Sequence, residues 1–156
     1  MESRDRFALI RGVAVINWDW LPDLTCRSPE DIRRCLDEHD AYTETQPGVV
    51  TKNANEIFAF ANEILVGDLV VLPRRPQADR FAAGIVTAPY AFRTDWLSDA
   101  RHVVDVDWRA KEIRRDLLTH PTRSQLQRRQ TVSKLSAEAV EEIQDLLEGE
   151  FDRLRS

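Results

Sequence analysis

Apolar and polar positions follow two different rhythms along this chain, and the changes of rhythm mark its elements. "FALIRGVAVIN", residues 7–17, reads as a strand with a bulge near Gly12. "SPEDIRRCLDEH" carries a helix start, with Ser28 as N-cap, Pro29 in the first turn and acids behind it. Residues 40–50 contain Pro47-Gly48 and read as a loop. In "TKNANEIFAFANEIL", Ala54, Ile57, Phe58, Ala61, Ile64 and Leu65 recur at helical spacing and predict one buried stripe. Gly67-Asp68 then turns the chain into the short strand "LVVLP".

"PRRPQAD" is too rich in proline for a central strand, and "RFAAGIVTAPYAF" follows as a strand broken near Pro89. "HVVDVDW" alternates, with Val104 and Val106 on one face and Val103, Asp105 and Asp107 on the other. Residues 112–130 predict arginine-rich helical turns, and "TVSKL" a last short strand. The tail is the clearest helix: Val140, Ile143, Leu146, Leu147, Phe151 and Leu154 form a stripe behind the N-cap residue Ser136. The link from 69–72 to 81–88 is too short for a crossover helix, so those strands pair antiparallel. The expected fold is α/β in the α+β sense. A small curved sheet or barrel with surrounding helices spans 1–135, and an acidic amphipathic helix spans 136–156.

Composition narrows the function classes. Hydrophobic content of 42% and charged content of 31% suit a soluble domain, and no apolar stretch approaches the roughly 20 residues of a membrane helix. "MESRDRF" does not lead into a long apolar run, so no signal peptide is expected, and a cytoplasmic location follows. Cys26 and Cys35 form neither a disulfide framework nor a zinc motif. The net charge of −5 resides in the tail, since residues 136–156 hold seven acids and two arginines. Nineteen of the 22 basic residues are arginine, several of them clustered: Arg74, Arg75 and Arg80; Arg114 and Arg115; Arg123, Arg128 and Arg129. A guanidinium pairs with phosphate through a rigid fork, which makes these clusters candidate phosphate contacts.

Catalytic chemistry finds little support. The residues two before Lys52, Lys111 and Lys134 are Val50, Arg109 and Val132, so the commonest metal-dependent nuclease spacing is absent. His39, His102 and His120 are scattered, and there is neither a G-x-S-x-G turn nor a glycine-rich phosphate loop. Asp105 and Asp107 share a strand face, which in most proteins is a solvated one. The chain by itself is expected to be no enzyme and to need neither metal nor cofactor.

Four tryptophans are the unusual feature. Trp108 ends an alternating strand and is expected to cap the core. Strand alternation places Trp18 and Trp20 on one face at a strand end, and Tyr90, Phe92 and Trp96 follow another strand. Such rings fill a core or, if the two ends meet, form a platform on which flat ligands stack. Partial exposure of Trp18, Trp20 and Trp96 around one pocket would favour a reader's platform; full burial of all three would favour an interaction module with the rings in its core.

The order of these segments resembles a known family. "AVINW", then "NANEIFAFANEI" running into "VGDLVVLP", then "GIVTAPYAF", "HVVDVDW", "IRRDLL" and "QTVSKL" are similar to the EVE-like domain of the PUA-like superfamily. The likeness covers about residues 5–136. It is to the version at the N-terminus of Mrr-type and other modification-dependent restriction proteins, related to YTH readers. The resemblance implies a PUA-like small barrel that flips a modified base of DNA into an aromatic pocket, within a bacterial restriction or defence system. By position it places Trp18, Tyr90 and Phe92 in that pocket. Proximity adds Trp20 and Trp96, and Asn53 and Asn55 are candidates to read a base edge. Arg74, Arg75, Arg80, Arg114, Arg115, Arg128 and Arg129 would contact phosphates. The base would be methylcytosine, hydroxymethylcytosine or methyladenine, and a nuclease would be fused or a separate partner. The family often has glycine before the first tryptophan; Asn17 stands there here. Two other readings stay open: an RNA-binding PUA-like protein, and a non-catalytic interaction or regulatory module that uses its C-terminal helix, which also offers a homodimer contact.

Overall fold

Ser28 starts helix α2 (Pro29–Asp37) as its sequence predicts. Its hydroxyl accepts the Asp31 N–H at 3.1 Å while the Asp31 carboxylate accepts the Ser28 N–H, and Pro29 lies in the first turn. Ile32 and Leu36, one turn apart, are fully buried. The computed structural model describes the backbone of residues 4–74, 79–96, 100–127 and 132–155, and side chains within 5–149 of that set.

The first expected strand is mostly a helix. Residues Arg4–Arg11 form α1, and only Val13–Val15 form strand β1. Gly12 between them has φ +71°, the left-handed conformation that ends helices, so it is a helix stop and not a strand bulge. Phe7, Ala8 and Leu9 are buried on α1. So short an apolar run suits either element, and the caps decide. The expected 40–50 loop is also corrected. It holds a 3₁₀ turn at Asp40–Tyr42, and Pro47 opens helix α3 (Pro47–Phe58) as its first residue. Helix α3 continues through a wider π turn at Ala59–Glu63 that directs Phe60 into the core.

Strands β2 (Leu69–Pro73), β3 (Arg80–Phe92) and β4 (His102–Arg114) join β1 in one antiparallel sheet of order β1-β4-β3-β2. It curls into a half-barrel against the helices. The β3–β4 register slips at four places, two of them between Val86 and Ala91 around Pro89, which has no N–H for the ladder. The expected break near Pro89 is thus an irregularity inside a continuous strand. Residues 112–114 are strand and not helix; a 3₁₀ turn (Arg115–Leu117) and helix α4 (His120–Leu126) follow. The expected strand at "TVSKL" is absent over 132–135, and Thr131 lies outside the described residues.

One core fills the space between α2, α3 and the sheet, with Ile32, Leu36, Ile57, Phe60, Val86 and Val104 at its centre. A second joins Phe81, Ile113, Leu118 and Leu126 to Ile143 of helix α5 (Ala137–Arg155). Leu146 and Leu147 of α5 pack on that core too, so three of the four described positions of its apolar stripe are used within the chain. Ser136 accepts the Ala139 N–H at 3.2 Å, as an N-cap does.

Glu142 of α5 also supplies the cap that α4 lacks. Its carboxylate accepts from the Thr119 N–H (2.6 Å), the Thr119 hydroxyl (2.9 Å) and the Thr122 hydroxyl (2.5 Å). Burial raises the pKa of Glu142, but the bonds from Thr122 and Thr119 outweigh it and hold the carboxyl below its usual range. Glu142→Ala is expected to cost about 1 kcal/mol, as lost caps do. Thermal unfolding should show it as a midpoint about 2–4 °C lower. An unchanged midpoint would mean that α4 needs no cap from α5.

Candidate functional site

The chain leaves β1 at Val15 and meets no further strand until Leu69. Alternation therefore cannot carry Trp18 and Trp20 to one strand face, which corrects that expectation. Trp18 has φ +65°, a left-handed conformation that is costly for a bulky side chain. Three bonds over-determine it. Its carbonyl accepts the Leu21 N–H at 2.9 Å and His102 Nε2 at 3.1 Å, and its indole N–H donates to the Tyr42 hydroxyl at 2.7 Å. Strain held in this way is characteristic of functional sites.

His102, at the start of β4, is fully buried. A carbonyl can only accept, so Nε2 carries the proton toward Trp18 and Nδ1 accepts the Tyr90 hydroxyl at 2.7 Å. Tyr90 in turn accepts the Leu24 N–H at 3.2 Å. Its ring stacks on His102 and meets the edge of Phe60, and Phe92 lies 5.3 Å from the imidazole. Burial pushes the Tyr90 phenol up to about 12, which keeps it a donor.

The outer part of the corner is open. Trp20 stacks on His39 with ring centres 3.6 Å apart, lies 6.2 Å from the Tyr42 ring, and remains 40% exposed. Asn53 of α3 donates to the Tyr42 hydroxyl at 2.9 Å. Trp18, Trp20, Asn53, Tyr90 and Phe92 are thus brought together, joined through Tyr42 and His102.

Asn55 and Trp96 are not part of this corner. Asn55 lies two residues along α3, exposed beside a shallow groove it shares with Thr51, Lys52 and Lys134. Trp96 packs against Phe7 in a separate cluster, with the Arg93 guanidinium 3.7 Å over its ring. Trp108 is structural, its indole N–H donating to the Ala8 carbonyl at 3.1 Å. Of the three rings that discriminate platform from core, Trp18 and Trp96 are half-buried and Trp20 is exposed, so none is fully buried, but Trp96 stands apart and the three do not surround one pocket.

The arginines lie elsewhere. Arg74 is nearly buried in an ion pair with Asp5 at 2.9 Å and donates to the Lys111 carbonyl at 2.8 Å, so its charge is committed inside the fold. Arg80 and Arg114 face each other across β3 and β4 and pair with Asp79 and Asp116; Arg115 is half-buried beside them. They stand at the far end of the hairpin from Tyr90, Phe92 and His102. Strand rise makes that up to ~40 Å, the span of about 12 base pairs. Arg75, Arg128 and Arg129 lie outside the described residues. Next to the corner in the chain are Arg27 and Arg101; the Arg93 backbone N–H donates to the Arg101 carbonyl, but its guanidinium is committed to Trp96 and Asp95.

Sequence reasoning missed Tyr42, His39 and His102 as members of the site. Sequence spacing tests the histidines only as metal ligands, and Tyr42 falls in the segment expected to be a loop. Among the described residues no group of His, Cys, Asp and Glu is arranged to hold a metal, and no helix is long and apolar enough to cross a membrane.

Burial holds His102 below the usual histidine range, against the upward pull of the Trp18 carbonyl and the Asp19 and Asp23 carboxylates. The folded chain keeps it neutral, whereas the unfolded chain protonates it below about pH 6.5. Stability is therefore complete above that pH and falls as pH drops through it, by at most about 1.4 kcal/mol per unit. Unfolding midpoints from pH 7.5 to 5 should decline, and His102→Gln, with no proton to gain, should give a lower but flatter curve. Equal slopes would place the pH dependence in other groups.

The fold and site define a helix-packed antiparallel half-barrel with an aromatic corner at one end of its sheet. The chain belongs to the family described as Domain of unknown function (DUF8426), whose model matches residues 2–136. No curated protein and no solved structure matches it.

Proposed function

We propose that this chain is a non-catalytic reader of a modified base in DNA, taking the base against the aromatic corner as a PUA-like, EVE-like domain would. The exposed Trp20 ring carries the reading, because it stacks on His39 and lies 6.2 Å from the ring of Tyr42, whose hydroxyl links Trp18 to Asn53. A large, partly exposed ring held in place by a stacked neighbour suits stacking with a base. The strained backbone at Trp18 and the curled sheet are in keeping with it. Phosphates near such a base would meet Arg27 and Arg101, while Arg80 and Arg114 would touch only a duplex running the length of the hairpin. The recognition arm of a bacterial restriction or defence system, with a nuclease fused or separate, is the setting proposed. The alternative interaction module is less favoured, because three of the four described positions of the α5 apolar stripe are already packed inward.

The test is binding, at one low salt concentration, to duplexes that differ only in one base: unmodified, 5-methylcytosine, 5-hydroxymethylcytosine or N6-methyladenine. Matched RNA serves as a further arm. Preference for one modified duplex is expected. Equal or absent binding across the panel overturns the reading, and preference for RNA moves it to that polymer.

A further inference from the structure

We infer that His102 and Tyr90 are positioning residues that clasp the segment from Trp18 to Leu24 and so fix where Trp20 presents its ring; this rests on the base-reader reading above. Trp20 is the third residue of a turn closed by the Leu21 N–H on the Trp18 carbonyl at 2.9 Å. The same carbonyl accepts His102 Nε2–H at 3.1 Å. At the other end of the segment the Leu24 N–H donates to the Tyr90 hydroxyl at 3.2 Å, and that hydroxyl donates to His102 Nδ1 at 2.7 Å. The bonds run in one direction, from Leu24 through Tyr90 and His102 to Trp18. Both ends of the segment therefore hang on one imidazole, and only its Nε2–H tautomer completes the chain.

His102 is fully buried, with Tyr90 stacked on it and Phe92 beside it. It has no surface to offer a base and acts on the site only through these bonds. The turn needs the hold, because a bulky residue at φ +65°, as Trp18 is, persists only where its surroundings pin it. Burial of Leu21 and Leu24 keeps the segment on the core. Apolar contact is non-directional, however, and leaves the angle of the turn to the hydrogen bonds. A turn that swings would carry Trp20 off its stack on His39.

The four duplexes of the binding panel test this with the full chain, at one salt concentration and beside thermal melts. Tyr90→Phe keeps the ring and removes only the hydroxyl that joins Leu24 to His102. It should weaken binding of the preferred duplex about 3- to 10-fold, the effect of one lost hydrogen bond. Because the clasp acts through Trp20, the losses should not multiply: Tyr90→Phe combined with Trp20→Ala should bind as Trp20→Ala alone does. His102→Leu should lose at least as much as Tyr90→Phe. His102→Gln, whose amide can still donate to the Trp18 carbonyl, should recover part of that loss. Where His102→Leu does not fold, the Tyr90 pair decides. Wild-type affinity in Tyr90→Phe, multiplied losses in the double variant, or no recovery in His102→Gln overturns the clasp and leaves the base-reader reading standing. No preference among the duplexes in the wild type overturns both.

Discussion

Trp20→Ala is expected to weaken binding of the preferred duplex by about 5- to 150-fold, the effect of losing one base stack of about 1–3 kcal/mol. The fold should survive. Trp20 is 40% exposed, and its described ring contacts are the stack on His39 and the tilted approach to Tyr42. Losing that stack should cost about 0.5–1.5 kcal/mol of stability. The same change at Trp18 is a poorer probe, because the indole also holds Tyr42 and the strained backbone beside His102. Equilibrium titration with the modified and unmodified duplexes, beside a thermal melt, separates the two effects. Wild-type affinity in Trp20→Ala would remove this ring from the site.

The largest expected loss of stability comes from one methyl group, in Gly84→Ala. Gly84 sits in β3 opposite Trp108, where the register slips, and a Cβ there would lie 2.5 Å from the Asp107 carbonyl oxygen. It would also lie 2.6 Å from Val106 Cγ1 and 2.9 Å from Trp108 Cα. Two of these three atoms are backbone, so β4 itself would have to move. Overpacking of this kind costs about 3 kcal/mol, a fall in the unfolding midpoint of about 6–12 °C. Gly48→Ala is the control: its Cβ meets nothing within 4 Å, and it lies in the first turn of α3. That variant should melt at or slightly above the wild type. A Gly84→Ala protein as stable as wild type would show that the two strands separate more readily than their spacing implies.

Local signals that act within a few residues were legible in the sequence. The Ser28 and Ser136 helix starts stand in the structure, and so does the stripe from Ala54 to Ala61; its last members Ile64 and Leu65 lie past the helical turns, with Leu65 exposed. The errors lie where two local outcomes compete. "FALI" suits a helix as well as a strand, and Pro47 opens a helix as readily as it breaks a loop. Part of the site was legible by residue type: Trp18, Trp20, Asn53, Tyr90 and Phe92 do meet. Trp96 does not, because nearness in sequence after β3 sends it to the face that carries Phe7.

By itself the sequence determined an antiparallel α+β domain with four tryptophans, since hydrophobic period, caps and short connections are properties of adjacent residues. Only the tertiary structure decided which of those residues form one corner. Tyr42, Asn53, His39 and His102 reach Trp18 and Trp20 across separations of up to 84 residues. The curl of the sheet and the packing of α3 set those distances, and neither is written in any single segment. The arginines show the same limit: alike in sequence, one is sealed against Asp5 and others stand at the far end of the hairpin, because side-chain charge does not say where the chain will carry it.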